Sequence, residues 1–134
     1  MTKATYSKQI FGLQVFTSQH KDVRRLKRQH PTSIHGNKLW RSSLLLINHF
    51  QQQPLTSEDK VLELGCGWGL SGIYLNKNFG CDVTAVDADE DVFPYLQLHA
   101  KANGASIHTL KKRFEKITTA ELSQYDVIIA ADVC

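Results

Sequence analysis

Val61-Leu-Glu-Leu-Gly-Cys-Gly-Trp-Gly69 is an apolar run that passes through one acid, Glu63, into glycines at positions 65, 67 and 69. That pattern describes a strand whose backbone turns sharply off its end, in places with positive φ, and leaves bare amides for a ligand to approach. The apolar segment from Leu70 to Phe79 follows at once and predicts a helix. Its first N–H groups point back at the turn and favour an anionic ligand group. Strand, glycine turn and helix in this order form a site for the polar end of a nucleotide-like cofactor.

Outward from this stretch the sequence alternates. Strands are predicted over Lys60–Leu64, Asp82–Val86, Ser106–Leu110 and Asp126–Ala131, with helices over Leu70–Phe79 and Glu90–Asn103. Gly80 and Gly104 stand where helices stop, and Pro94 falls in a first turn, where its missing N–H costs little. A further helix over Leu39–Gln53 places Trp40, Leu44 and Ile47 on one face, and Pro54 ends it. Ile10–Phe16 alternates around a glycine and suggests a strand pair. The expected fold class is α/β, a doubly wound parallel sheet with helices on both faces and with ligands at the carboxyl ends of the strands. Glu63 to Gly69, Asp87 and Asp132 all fall at that edge, and Val127–Ala131 reads as a strand buried on both faces.

Two cofactor classes use such a turn. Gly67-x-Gly69-x-x-Gly72 fits the dinucleotide pattern, with Asp87 about twenty residues beyond, where an acid would hold a ribose. That keeps an NAD(P)-dependent oxidoreductase open as an alternative. However, the strand runs straight into Gly65, ahead of where the dinucleotide pattern begins, with Glu63 just before the turn. Glu63-x-Gly65-x-Gly67-x-Gly69 resembles the first motif of the class I S-adenosylmethionine-dependent methyltransferases. Cys81–Asp87 is similar to that family's second strand, and Tyr125–Val133 to its fourth strand and motif. Gly36-Asn-Lys-Leu-Trp-Arg-Ser-Ser43 resembles the segment before the core in small methyltransferases related to the protein-lysine methyltransferases.

The resemblance implies S-adenosyl-L-methionine as cofactor and a role for each matching position. Glu63 would lie near the methionine end, with Gly65, Cys66, Gly67 and Gly69 passing under its carboxylate and ribose. Asp87 would accept hydrogen bonds from both ribose hydroxyls, with Ala88 beside it. Phe114, after the third strand together with Arg113, would be placed for adenine. Trp40 is the candidate to face the sulfonium, since aromatic faces attract cations. Asp132 is the candidate catalytic residue, near the methionine ammonium or an incoming amine. Each has a plainer reading: Asp87 as a turn residue, Asp132 as a cap, and Trp40, Trp68 and Phe114 as core packing. Glu63 resists one, because a buried acid without a partner is costly.

The implied acceptor is of amine type, a protein lysine or a small molecule. Ala131-Asp132-Val133-Cys134 lacks the two prolines and aromatic that follow this acid or amide in methyltransferases of nucleobase or glutamine amide nitrogens. In the family the strand order is 3-2-1-4-5-7-6, so the chain is expected to be an N-terminal piece that stops after the fourth strand. It would comprise an N-terminal arm over residues 1–35 and the cofactor-binding core over 36–134, incomplete as a catalyst alone. A non-catalytic cofactor-binding module is the other alternative.

At 134 residues the chain has room for one domain. Cys66, Cys81 and Cys134 are too few and too scattered for a disulfide scaffold or a zinc site, and no two histidines stand at helical ligand spacing. Without a secretory leader or a bilayer-length apolar run, a cytoplasmic protein away from membranes is expected. Net charge is +3, and residues 21–30 hold five Lys or Arg against one Asp. This basic segment reads as a solvated helix face, or as a contact for RNA or an acidic protein. No aromatic residue interleaves with it, so nucleic acid is an unlikely partner on sequence grounds.

Overall fold

In the computed structural model, which describes residues 6–31 and 41–131, four strands pair in parallel around the glycine turn. Trp40 and Asp132 lie outside the described residues. In chain order the elements are β1 (Ser7–Ile10), β2 (Leu13–Phe16), α1 (Lys21–Gln29), α2 (Arg41–Gln52), β3 (Lys60–Leu64) and α3 (Leu70–Phe79). They continue with β4 (Asp82–Asp87), α4 (Phe93–Ala102), β5 (His108–Lys111), the single turn α5 (Thr119–Leu122) and β6 (Val127–Ala130). The order β5-β4-β3-β6 puts the first core strand in the middle, with the sheet growing one way through β4 and β5 and the other way to β6.

Parallel crossovers are right-handed, so α3 and α4, which step in the same direction, share one face of the sheet. Val61 pairs with Val83 and Glu63 with Ala85. These residues point to that face, where Val61, Val83 and Ala85 are fully buried with Ile73, Leu75 and Leu96. Leu62 and Ile128, also paired, point to the opposite face. The return crossover carries α5 there, a helix of one turn. The sheet is thus α/β and flanked by helices, but the two faces are unequally covered. Residues 127–131 depart from the expected double burial for this reason. Ile129, on the helical face, is 4% exposed, whereas Ile128 is 45% exposed.

Other boundaries move for local reasons. The helix expected from Glu90 begins at Phe93, preceded by a tight 3-10 turn over Glu90–Val92. Pro94 has no N–H to give the Glu90 carbonyl and its ring would crowd that carbonyl, so α-helical geometry cannot run through both. The third strand of the sheet starts at His108 rather than Ser106, because side chains occupy the backbone groups before it. Asn76 Oδ1 accepts from Ser106 N at 2.9 Å, and Gln97 Nε2 donates to Ile107 O at 3.1 Å.

β1 and β2 form a hairpin whose two turn residues, Phe11 and Gly12, have φ of 52° and 79°. Two positive φ values make the turn whose twist suits adjoining antiparallel strands. The hairpin joins the core through α4. Asn103 Oδ1 accepts from Gln14 N at 2.7 Å while its Nδ2 donates to Gln14 O and to His99 O at 2.9 and 2.8 Å. One amide side chain thereby takes the place of a neighbouring strand. Val23 and Leu26 of α1 are buried alongside, and Tyr95 Oη donates to His30 O at 3.1 Å.

Asn103→Ala leaves the half-buried Gln14 backbone pair without its side-chain partners and is expected to cost about 1–3 kcal/mol. Urea unfolding should show the loss, and amide exchange at Gln14 should accelerate. An unchanged midpoint would mean that the hairpin is held by its apolar face alone.

Candidate functional site

Gly65, Gly67 and Gly69 have φ of 60°, 53° and 71°, so the chain between β3 and α3 turns through three left-handed residues. Gly69 also has no room for a side chain: a Cβ there would stand 2.5 Å from Leu96 Cδ1. Cys66 N donates to Val86 O at 3.1 Å and Gly69 N to Cys66 O at 2.8 Å, which closes the turn over the end of β4. Cys66 is buried, and its thiol is pushed well above the ordinary range by desolvation and by the neighbouring Glu63 and Asp87. It fills space and is no nucleophile at neutral pH.

Glu63 is 2% exposed, in the middle of the sheet. Its Oε1 accepts from Gly72 N at 3.2 Å. Burial pushes its carboxyl from 4.5 up to about 8, against the opposing pull of the Gly72 N–H and with a further push from the Asp87 charge. At neutral pH the side chain is therefore largely the neutral acid, held beneath the first turn of α3.

Asp87 ends β4 on the same edge. Its Oδ2 accepts from Gly67 N at 3.2 Å and its Oδ1 from Asp89 N at 2.9 Å. The glycine turn and the acid after the second core strand, twenty residues apart in sequence, are thus one hydrogen-bonded unit. Ala88 next to it is exposed and lines an open depression of about 330 Å³ with Lys111, Lys112, Arg113 and Lys116. Lys112 is tied to Glu121 at 2.6 Å, and this contact is the main cause holding the Glu121 carboxyl down to about 2. Phe114 is 40% exposed, on a 3-10 turn just beyond β5, and is not among the residues lining the depression. The structure thus gathers Glu63, Gly65, Cys66, Gly67, Gly69, Asp87 and Ala88 at one sheet edge. Trp40 and Asp132 fall outside the described residues.

Sequence reasoning missed what holds the turn from behind. Trp68, 5% exposed, stacks on His99 at 4.7 Å and Tyr95 at 5.8 Å between ring centroids. His99 is fully buried: Nε2 accepts from Phe16 N at 3.0 Å, so Nδ1 carries the proton to Tyr95 O at 2.9 Å. Desolvation lowers its pKa and keeps the ring neutral. The spacing of Tyr95 and His99, one helical turn apart, is the signal that could have shown two rings on one face of α4. Among the described residues, no group of three or more His, Cys, Asp or Glu side chains could hold a metal ion.

A family model described as a methyltransferase domain matches residues 61–134. A histidine protein methyltransferase 1 homolog of Dictyostelium discoideum is 37% identical over 105 residues, which are 72% of this chain and 33% of that protein. A ubiquinone biosynthesis O-methyltransferase of Rickettsia canadensis is 35% identical over 77 residues, 58% of this chain and 31% of its own. Among solved structures, a T. thermophilus 16S rRNA N2 G1207 methyltransferase in complex with AdoMet and guanosine superposes with a TM-score of 0.66. It is 21% identical and covers 96% of this chain and 32% of its own. The chain spans about a third of the length of these proteins. Their names cover protein, ubiquinone biosynthesis and rRNA, so they fix no acceptor. Those names include an rRNA methyltransferase, so the comparisons give no support to the expectation that nucleic acid is an unlikely partner.

The buried acid makes stability depend on pH in a definite direction. Glu63 ionises near 4.5 in the unfolded chain and near 8 in the fold, so between these values the native protein keeps a proton that the unfolded chain has released. Its contribution is fully present below about 4.5 and is lost as the pH rises to about 8, at no more than about 1.4 kcal/mol per pH unit. Glu63→Gln fixes the neutral form. Urea titrations should show the variant gaining on the native protein from about pH 5 to pH 8. A difference that stays flat would mean that Glu63 is ionised in the fold.

Proposed function

Because the chain belongs to the methyltransferase-domain family, we propose that its glycine turn and Asp87 bind S-adenosylmethionine, and that the protein transfers the methyl group to an amine-type nitrogen of a protein or small molecule. The carrying observation is the Asp87 carboxylate, each oxygen of which accepts one backbone N–H from Gly67 or Asp89. A carboxylate oxygen has a second acceptor position, so two remain for two ribose hydroxyls. The bare backbone of Gly65 to Gly69 lets the rest of the cofactor lie against the turn, and the exposed Ala88 leaves the side toward β5 open for a base.

The bound cofactor supplies a methyl group on a positively charged sulfur. What falls to the protein is to hold the nucleoside, exclude water behind Trp68 and Leu96, and place the acceptor in line. Asp132 is the acceptor-side candidate from its place in the sequence, and Trp40 the candidate to face the sulfonium. The relative named for histidine protein methylation supports a nitrogen acceptor in a protein. Among the described residues no helix is long and apolar enough to cross a membrane, and we place the reaction in the cytoplasm.

Calorimetric titration with S-adenosylhomocysteine tests the cofactor assignment. Asp87→Ala removes two hydrogen bonds to a charged acceptor and is expected to cost about 1.5–3 kcal/mol, roughly ten- to a hundredfold in affinity. Equal affinity in the variant would remove Asp87 from the site. Binding of NADH in place of S-adenosylhomocysteine would turn the reading to an oxidoreductase.

A further inference from the structure

Tyr6 stands well ahead of the basic segment in sequence, and folding brings it against α1 beside Phe16 and His20, which lead into that helix. With Lys21 and Arg24 of α1 and Lys101 of α4 they line a groove of about 680 Å³. A second basin of about 520 Å³ shares Tyr6 and Arg24 and adds Lys27 and Arg28. Lys21, Arg24 and Lys27 recur every third residue along one side of α1, about 4.5 Å apart along its axis. Tyr6 is 37% exposed where the two basins meet, and His20 stacks on Phe16 at 4.0 Å.

The charges here are uncompensated. Among the described residues none of Lys21, Arg24, Lys27, Arg28 and Lys101 is in an ion pair, and Asp22, which also lines the groove, is taken by Arg25 at 2.8 Å. The basic residues from the end of β5 onward differ: Lys111, Lys112 and Arg113 each face an acid, Glu90, Glu121 or Glu115, and of that cluster only Lys116 has no ion pair among the described residues. One cluster is largely neutralised by the fold, and the other is left open to an outside anion.

We propose that this groove is a docking surface for a single-stranded polynucleotide. Proteins that bind such strands combine a cationic track for the backbone with aromatic faces on which bases stack. Here the cations of α1 supply the track, and Tyr6 and the His20 ring supply the faces over an apolar floor of Phe16, Leu98 and Ala102. An acidic peptide would use the cations and leave the aromatic floor idle. The groove also touches the cofactor turn through its rings: Phe16 lies 5.3 Å from His99, which stacks on Trp68. A strand seated there would bear on the hairpin that backs the turn, and its binding requires neither cofactor nor methyl transfer.

Fluorescence anisotropy of a labelled single-stranded RNA of about twelve nucleotides tests this, without cofactor. Saturable binding is expected, with a log affinity against log salt slope of about −2 to −3.5, as for three to five phosphates neutralised. Arg24→Glu with Lys27→Glu should weaken it at least about tenfold and flatten the slope. Tyr6→Ala should weaken it by about tenfold with the slope unchanged, since stacking releases no counterions. These side chains are exposed, and circular dichroism should show both variants folded. Single-stranded DNA of the same sequence should bind within about tenfold, because only phosphates and base faces are read. Any of three results would overturn the proposal: no saturable binding at about 50 mM salt, displacement of RNA by an equal charge of polyglutamate, or a Tyr6→Ala variant that binds as the native protein does.

Discussion

The close approach of α3 to β3 at Gly72 sets the geometry on which the rest of the site depends. A Cβ at this position would stand 2.6 Å from Glu63 Oε1 and 2.9 Å from Val83 Cγ1, so only glycine lets the helix settle onto the strand. The same contact gives the buried Glu63 its backbone donor. Held this low, α3 leaves the chain between Leu64 and Leu70 no option but a tight turn, and the positive φ values at Gly65, Gly67 and Gly69 follow. The turn in turn offers Gly67 N to Asp87, which fixes the end of the neighbouring strand. Helix packing, loop shape and the acid at the sheet edge are consequences of one missing side chain.

This arrangement also explains a coincidence of patterns. Gly67-x-Gly69-x-x-Gly72 satisfies a dinucleotide spacing, yet in the fold the third glycine serves the Glu63 contact beneath the helix. The third glycine of the dinucleotide pattern likewise serves helix–strand packing. The spacing therefore reports how tightly a helix sits on a strand and does not by itself choose a cofactor. Glu63, largely neutral at neutral pH, adds little charge beneath the helix start, and Asp87 carries the negative charge at the edge.

Much of the core was legible because its signals are local. β3 and α3 begin and end at the residues that apolar periodicity and glycine punctuation indicate, and the hairpin follows from alternation around Gly12. Asp87 was legible as a candidate because it follows an apolar strand at the right distance from the turn. What escaped was decided by contacts distant in sequence. Asn103 serving as a surrogate strand for Gln14, and His99 joining Phe16 to Trp68, depend on pairs more than eighty residues apart. The basic segment looked bare of aromatics because Tyr6 reaches it only through the hairpin, while Phe16 and His20 stand just ahead of it, outside its bounds. Ile128, read as buried, is exposed because coverage of a sheet face is a property of the neighbours and not of the strand.

The central claim is that the glycine turn and Asp87 act together as the grip on a nucleoside cofactor. Amide chemical shifts of the labelled protein, followed during titration with S-adenosylhomocysteine and separately with NADH, test it most directly. The account predicts saturable shifts at Gly65 to Gly69 and at Asp87 and Ala88 with S-adenosylhomocysteine, and none there with NADH. Shifts confined to other parts of the chain, or the same shifts with NADH alone, would contradict it.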